Sequence, residues 1–242
     1  MSERQVVAVG AGHAHLHLAR QAEVFARHRI TLTLIDPGRF WYSGLATGML
    51  GGQYTAGQDT IDPQPLIEPA GRFIRGRVTS VDLHRQFVSL EDGRRVPFDQ
   101  LSFNVGSEGM TNGIDGAEHA WTVKPIANLV RLRERVEQGL RNACPPRVTV
   151  IGGGPTGCEI AANLLGLARR MSATLALRVF SSADRLIPDA PRGASRRISR
   201  VLRRYGASIE LQSRIVAVQP DCVRDEDGRA WPSDVTVLAR GL

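Results

Sequence analysis

Two stretches of this chain repeat the same order of apolar and polar positions. Residues 5–12 read QVVAVGAG and residues 147–154 read RVTVIGGG, so each is a short β-branched run that ends in glycines. In both copies, a segment with helical spacing of its apolar residues follows, and then a second apolar run. Strand, glycine turn, helix and strand in this order predict the right-handed βαβ unit of dinucleotide-binding folds. The predicted helices are about 15–28 and 157–171, and the predicted second strands are 30–35 and 175–180.

The chain between the two copies alternates in the manner of β-strands. Short alternating runs separated by turn signals predict a β-meander at about 72–98. A helix is predicted over 126–140 from the spacing of its leucines and valine, and the pair Pro145-Pro146 marks a boundary after it. Individual strands are predicted at 77–83, 86–91, 95–98, 101–105, 208–218, 230–232 and 234–239.

The glycines of the two turns have separate physical roles. The second copy holds a complete G-x-G-x-x-G pattern in Gly152, Gly154 and Gly157. The first glycine permits a tight turn, the second lets the backbone approach a pyrophosphate, and the third allows the helix to pack closely on the strand. The first copy has two of the three, Gly10 and Gly12, and carries a histidine at the third position. Two such turns, each between a strand and a helix, are a much stronger signal than one.

Composition narrows the class of protein. The chain of 242 residues is 42% hydrophobic and 23% charged, as is typical of folded domains. Its formal net charge of +7 comes almost wholly from arginine, since Lys124 is the only lysine among 31 basic residues. The densest basic stretch, 192–204, has apolar residues at helical spacing, so its arginines are expected on a solvated helix face. Because it lacks interleaved aromatic residues or a binding motif, nucleic acid is not an expected partner.

Cysteine content and the lack of a long apolar run indicate a cytoplasmic protein. No apolar run approaches the ~18–20 residues of a membrane-spanning helix, and the N-terminal residues lack the pattern of a signal peptide. Cys144, Cys158 and Cys222 cannot form a disulfide framework or a four-cysteine zinc site. They form no C-x-x-C or C-x₄-C pair either, so no redox disulfide is expected.

Three histidines follow the first glycine turn. If His13, His15 and His17 lie on a helix, only His13 and His17 share a face, and no third ligand is near them in sequence. No metal site is therefore predicted. Because the histidines stand in the phosphate-binding loop, we expect them to pack against a bound cofactor or to donate hydrogen bonds to phosphate.

The segments that carry these turns resemble a known family. VGAGHAHLHLAR (9–20), IDPGRFWYSGLATGMLGGQY (35–54), VKP (123–125) and IGGGPTGCE (151–159) are similar to the FAD-dependent pyridine nucleotide-disulfide oxidoreductase superfamily. Within it the chain looks most like the type II NADH dehydrogenase-like branch, and in particular like the NADH-dehydrogenase-like flavoproteins associated with selenide, water dikinase. The resemblance covers essentially the whole chain, although IGGGPTGCE is common to the superfamily.

The resemblance implies an α/β fold with two nested Rossmann-like dinucleotide-binding domains, the FAD/NAD(P)-binding fold, together with a β-meander. Residues 1–120 would be the first segment of an incomplete outer FAD-binding domain, 121–146 a connecting helix and linker, and 147–242 an NAD(P)-binding domain. Members of the family continue beyond the strand at 234–239 with a return to the FAD fold and an interface domain. The expectation is therefore a chain that lacks the C-terminal third.

In the first domain the resemblance implies a site for FAD. Asp36 lies 24 residues after Gly12, close to the ~20 expected for a carboxylate that accepts the adenosine ribose hydroxyls; its other interpretation is a strand-end turn residue before Pro37. A loop at Ser43-Gly44 would border the flavin. The pyrophosphate would lie on Gly10, Gly12, His13 and Ala14, the adenine near the backbone of Val78, and Asn104, Val105 and Gly106 would close over the cofactor.

In the second domain the resemblance implies a site for NADH or NADPH on the turn that Gly152, Gly154, Pro155, Thr156 and Gly157 form. Glu159 would lie near the nicotinamide, and its other interpretation is an ordinary carboxylate that the helix dipole stabilises. The ribose-binding acid usual at the end of the next strand is replaced by Ser181. This removes repulsion against a 2′-phosphate, and Arg178 or Arg185 could pair with one, so use of NADPH is a hypothesis beside use of NADH.

The activity implied is hydride transfer from NAD(P)H to the flavin N5 and on to a small quinone-like acceptor. Lys124 either approaches the acceptor or is a solvated lysine at a helix N-terminus. Sulfide:quinone-type oxidation is disfavoured because it needs cysteines beside the flavin. The family implies homodimer or peripheral membrane contacts through the missing C-terminal part, at the inner membrane. The alternative is a truncated, nonenzymatic nucleotide-binding remnant that acts as a scaffold or sensor.

Overall fold

The computed structural model describes residues 3–142 and 144–240. The contacts between residues divide the chain into two compact units. The first unit comprises the chain up to Tyr42 together with Thr60–Gly106, and the second unit comprises Ser43–Asp59 together with the chain from Ser107 onward.

The elements alternate between strands and helices in both parts of the chain. Up to residue 106 they are β1 (Arg4–Val9), α1 (His13–Ala19), α2 (Ala22–Arg27), β2 (Ile30–Asp36), β3 (Phe40–Trp41), α3 (Ser43–Leu50), β4 (Thr60–Ile61), α4 (Gln64–Ile67), β5 (Arg72–Arg75), β6 (Val78–Asp82), β7 (Phe87–Leu90), β8 (Arg95–Pro97) and β9 (Gln100–Phe103). Beyond it they are β10 (Trp121–Thr122), α5 (Ala127–Leu140), β11 (Arg147–Ile151), α6 (Pro155–Arg170), β12 (Ala176–Phe180), α7 (Arg192–Arg204), β13 (Ala207–Glu210), β14 (Ile215–Val218), β15 (Cys222–Asp225), β16 (Ala230–Pro232) and β17 (Val235–Leu238).

The first unit is built on a four-stranded parallel sheet in the order β5–β2–β1–β9. Both faces of this sheet are covered, which explains why its central strands read as continuous apolar runs. Val7 and Val9 of β1 face one side and pack with residues of the three-stranded antiparallel meander β6–β7–β8. Ala8 faces the other side and packs with Leu16 of α1 and Ile67 of α4. The predicted meander is therefore present and covers one face of the sheet.

The helix predicted at 15–28 is two helices. α1 ends at Ala19 and α2 begins at Ala22. Between them the Gln21 N–H donates to the Leu18 carbonyl, three residues back, so the backbone tightens at this point and the axis does not continue. The helix also starts two residues earlier than predicted, directly after the glycine turn.

The second unit is built on a five-stranded parallel sheet in the order β10–β17–β11–β12–β13. Helix α6 buries one face, including Ile160 and Leu164. Helix α5 buries Leu129, Leu132 and Val136, the residues whose spacing predicted it. A three-stranded antiparallel sheet, β14–β15–β16, follows in the chain.

Residues 43–59 differ from the sequence-based expectation. A loop was expected at Ser43-Gly44, but Ser43 begins helix α3, which packs on α5 and α6. The Arg133 guanidinium donates to the carbonyls of Met49 (3.0 Å) and Tyr54 (3.1 Å), so the segment is fixed to α5. This packing is why 43–59 group with the second unit.

No helix among the residues that the structure describes is long and apolar enough to cross a membrane.

Candidate nucleotide-binding sites

The turn after β11 has the geometry that its glycines predict. Gly152 has φ +130°, and a Cβ there would lie 2.4 Å from the Ala239 carbonyl oxygen. A Cβ at Gly157 would lie 1.8 Å from the Gly152 carbonyl oxygen, so only glycine lets α6 approach the turn this closely. The first and third glycines are thus required by the backbone itself.

The second glycine of this turn leaves open space. Gly154 precedes the first residue of α6, and a Cβ on it would meet nothing within 4 Å. No side chain caps the helix, whose 16 residues begin at Pro155. The free N–H groups and the dipole of a helix N-terminus attract anions. The residues of this turn therefore fit the diphosphate of a dinucleotide.

A cleft of about 450 Å³ lies beside this turn. The end of β12 borders it through Ser181 and Ser182, and Ser181 is only 5% exposed. A Cβ on Gly153 would lie 2.5 Å from the Ser181 hydroxyl oxygen, so this side chain is directly against the turn. Asp189, Arg214 and Arg240 also line the cleft. Turn, strand end and cleft together form the candidate site for a pyridine nucleotide.

The two arginines expected to meet a 2′-phosphate do not line this cleft. Arg178 lies 3.6 Å from a Glu210 carboxylate oxygen and stacks on the ring of Trp231 at 4.6 Å. Arg185 donates to the Pro188 carbonyl and borders a different pocket, next to α7. Arg214 lines the cleft instead, and the sequence pattern does not single it out because it predicts one strand over 208–218.

The two residues predicted to have a catalytic role are not in the cleft either. Glu159 is exposed on α6, just past its first turn, and the residues that border the cleft do not include it. Lys124 donates from Nζ to the Ser107 hydroxyl oxygen at 2.7 Å. Pro155 and Thr156 are the first two residues of α6, as the predicted site requires.

In the first unit, the turn after β1 is tight but covered. Gly10 has φ +86°, and a Cβ there would lie 2.3 Å from the Asn104 carbonyl oxygen. Gly12 has extended backbone, and a Cβ on it would lie 2.1 Å from Asn104 Oδ1. The Asn104 carboxamide therefore stands over the second glycine. The backbone fits a dinucleotide, and its diphosphate would displace this side chain.

His15 has a structural role, so the expectation that it meets a cofactor or phosphate is corrected. It is 2% exposed. Its Nδ1 donates to the Gly10 carbonyl at 2.6 Å and its Nε2 lies 2.9 Å from the Ser102 hydroxyl. The ring thus joins α1, the turn and β9. A glycine at this third position would instead allow direct contact of helix and strand. The other histidines of the turn are exposed, and His13 lies edge-on to Phe40 at 4.7 Å.

Asp36 is fixed beside the turn. One carboxylate oxygen accepts from the Ala11 N–H at 2.7 Å and the other from the Gly38 N–H at 2.8 Å. The bond to Gly38, two residues on, is an Asx-type turn, so the interpretation as a turn residue holds. Each oxygen keeps a further lone pair, and contact with a ribose stays a prediction.

The remaining predicted residues of the first domain fall into two groups. Asn104, Val105 and Gly106 follow β9 next to Gly10, and Val105 is exposed. Val78 begins β6 and packs on the apolar core. Ala14 is exposed on α1, and Ser43 and Gly44 are exposed at the start of α3, which belongs to the second unit.

Other reactive groups offer no second site among the described residues. Cys158 is buried in the core, and this burial raises the pKa of its thiol to about 11, so the thiol is not a nucleophile at neutral pH. Asp59 is fully buried, and burial raises the pKa of its carboxyl to about 6. Within 3–142 and 144–240, no group of three His, Cys, Asp or Glu side chains could hold a metal ion.

Two glycine turns on parallel sheets define a protein of the dinucleotide-binding class. Residues 4–242 match the family of pyridine nucleotide-disulphide oxidoreductases, and the chain belongs to that family. The predicted α/β fold and oxidoreductase family are therefore confirmed.

The chain spans less than two thirds of the length of the relatives it matches. It is 23% identical over 212 residues to the type II NADH:quinone oxidoreductase of Haemophilus influenzae, covering 70% of this chain and 48% of that protein. It is 27% identical over 175 residues to the ferredoxin–NAD(+) reductase subunit of the benzene 1,2-dioxygenase system of Pseudomonas putida, covering 68% and 39%. The structure of NDH2 from Plasmodium falciparum in complex with NADH has a TM-score of 0.82 at 16% identity, covering 99% of this chain and 55% of that one.

Proposed function

We propose that this chain is the nucleotide-binding part of an FAD-dependent NAD(P)H oxidoreductase, with FAD on the first unit and NAD(P)H on the second. The observation that carries the proposal is the open space over Gly154 at the N-terminus of α6, next to the cleft at the end of β12. Family membership and the NADH-bound NDH2 structure support the same pair of cofactors.

The residues of this chain would bind and orient the two cofactors. The N–H groups at the start of α6 would hold the diphosphate of NAD(P)H, since the missing Cβ of Gly154 lets it approach the backbone. Asp36, held by two backbone N–H groups, would present its remaining lone pairs to the ribose of FAD. When bound, FAD would supply the redox chemistry, accepting hydride from NAD(P)H and passing electrons to the acceptor.

A small quinone-like acceptor is the proposed electron partner. A relative named as an NADH:quinone oxidoreductase supports it, while a relative named as a ferredoxin–NAD(+) reductase favours an iron–sulfur protein instead. The chain has no cysteine pair for a disulfide relay, and Cys158 is buried with its thiol 3.7 Å from the Gly153 carbonyl oxygen. Electrons would therefore pass without a protein disulfide.

A nonenzymatic nucleotide-binding protein is the second candidate. The Asn104 carboxamide over Gly12 favours it, because a first turn that stays covered would leave the second unit as the only nucleotide site among the described residues. A visible spectrum of the purified chain, before and after incubation with FAD, separates the two functions. Flavin bands near one FAD per chain support the oxidoreductase, and a protein that stays colourless supports the second candidate for this chain.

Calorimetric titration of the chain with NADH tests the nucleotide site. The Gly154→Ala variant is expected to bind NADH at least about tenfold more weakly, because its methyl group fills the approach of the diphosphate. Gly166→Ala is the matched control, since a Cβ at Gly166 of the same helix also meets nothing within 4 Å. Equal affinities of the two variants and the parent chain would contradict the proposed site.

A further inference from the structure

The cleft of the second unit has an unusual chemistry where a bound nucleotide would place its adenosine ribose. In dinucleotide folds, the residue that follows the second strand of the βαβ unit reads this ribose, as a carboxylate for a free 2′-hydroxyl or with a nearby arginine for a 2′-phosphate. Here β12 ends at Phe180, and the next two residues are Ser181 and Ser182. Both line the cleft, neither carries a negative charge, and the hydroxyl oxygen of the buried Ser181 accepts from the Ala183 N–H at 3.3 Å.

Arg214 brings a positive charge to the same cleft. The loop before β14 is tied to the end of β12, because the Ser213 N–H donates to the Ser181 carbonyl at 3.0 Å and the Gln212 N–H to the Ala183 carbonyl at 2.9 Å. Arg214 follows directly and lines the cleft. Its side chain is exposed, and no carboxylate of the described residues lies within 4.0 Å of it. The guanidinium is thus available to an anion.

Asp189 is a carboxylate, and a carboxylate at this site would argue against binding of a 2′-phosphate. It also lines the cleft, on the segment where the Ile187 N–H donates to the Gly153 carbonyl at 2.7 Å. A carboxylate that accepted both ribose hydroxyls would favour NADH and repel a 2′-phosphate. Asp189 lies outside the strand-end position, and it is exposed to solvent, which screens its charge.

We propose that Ser181, Ser182 and Arg214 form a subsite for the 2′-phosphate of the adenosine ribose, so that NADPH is preferred over NADH. The proposal rests on the proposed nucleotide site of the second unit. A guanidinium and two hydroxyls suit the three acceptor oxygens of a phosphate monoester, and the guanidinium bond is charge-assisted.

Two small ligands that differ only in the 2′-phosphate test this subsite on the 242-residue chain. By calorimetry, adenosine 2′,5′-bisphosphate is expected to bind at least about tenfold more tightly than 5′-AMP, as charge-assisted hydrogen bonds do relative to none. Arg214→Gln is expected to bring this ratio close to one. Ser181→Asp is expected to invert the ratio. Arg197→Gln, which removes an exposed arginine of α7 outside the cleft, is the charge-matched control and should leave the ratio unchanged.

The outcomes separate this inference from the proposed function. If both ligands bind the parent chain equally, or if Asp189→Asn weakens 5′-AMP while Arg214→Gln leaves adenosine 2′,5′-bisphosphate unaffected, the subsite is overturned and the nucleotide site stands. If neither ligand binds a chain whose circular dichroism shows intact helices and strands, the proposed nucleotide site fails, and the subsite with it.

Discussion

The turns after β1 and β11 follow one plan of strand, glycines and helix, and they differ at the second and third positions. In the second unit, Gly157 brings α6 against the turn, and the space over Gly154 is open. In the first unit, a buried histidine fills the third position, and the Asn104 carboxamide covers Gly12. Backbone contact holds one turn and side chains hold the other. The same sequence pattern can therefore be a rigid cradle in one unit and an adjustable one in the other.

The largest effect is expected from a substitution that breaks the backbone contact of the second turn. Gly157→Ala places a methyl group 1.8 Å from the Gly152 carbonyl oxygen, and relief requires the helix to move, at a cost of about 3 kcal/mol or more. The urea midpoint measured by circular dichroism should fall accordingly. Gly166→Ala in the same helix should instead hold or raise the midpoint, since its Cβ meets nothing within 4 Å. A loss below about 1 kcal/mol in Gly157→Ala would mean that the third glycine is not needed here.

The next largest effect is expected when the side chain that replaces this contact in the first unit is removed. His15→Ala deletes the bonds to the Gly10 carbonyl and to the Ser102 hydroxyl and leaves a cavity, so a loss of about 2 kcal/mol is expected. His17→Ala on the exposed face of α1 is the control and should change the free energy of unfolding by less than about 0.5 kcal/mol. Equal midpoints for the two variants in urea would show that His15 does not stabilise the turn.

The smallest effect concerns the second glycine of the first turn. Gly12→Ala meets only the end of the Asn104 side chain, and its φ of −67° suits any residue. The carboxamide can rotate, so a cost below about 1 kcal/mol is expected. Gly10→Ala is the contrasting variant, because it combines φ +86° with overlap of the Asn104 backbone. If thermal unfolding showed the two variants to be equally destabilised, the covered turn would be as rigid as the open one.

Much of this fold could be predicted because its signals are local and repeated. The two glycine turns, the meander, and α5 with its buried Leu129 and Leu132 follow from residue type and spacing alone. Helix α3 could not be predicted in this way. Its sequence SGLATGML has two glycines, and it is helical where Met49 and Leu50 are buried against α5 and α6. Tertiary packing decided its structure.

Part of the candidate site can also be predicted from local signals. Turn residues such as Gly152 and Gly154 belong to a motif, and their positions need no knowledge of the rest of the chain. Arg214 lies 33 residues beyond Ser181 in sequence, and the hydrogen bond from the Ser213 N–H to the Ser181 carbonyl brings its loop to the cleft. The sequence suggests Arg178 and Arg185 as the positive charge beside Ser181 because they are close to it along the chain. In the structure Arg178 pairs with the Glu210 carboxylate and Arg185 donates to the Pro188 carbonyl, so neither lines the cleft.

The indole of Trp231 gives the second unit an optical reporter near its nucleotide cleft. It lies edge-on to Phe180 with ring centroids 5.6 Å apart, and Phe180 itself borders the nucleotide cleft. The same indole stacks under Arg178 and donates to Asp225 at 3.2 Å, so residues of this unit contribute to its polarity. The reduced nicotinamide of NAD(P)H absorbs where tryptophan emits, so its binding is expected to quench Trp231, one of the three tryptophans of the chain, and this signal for occupancy needs no added label.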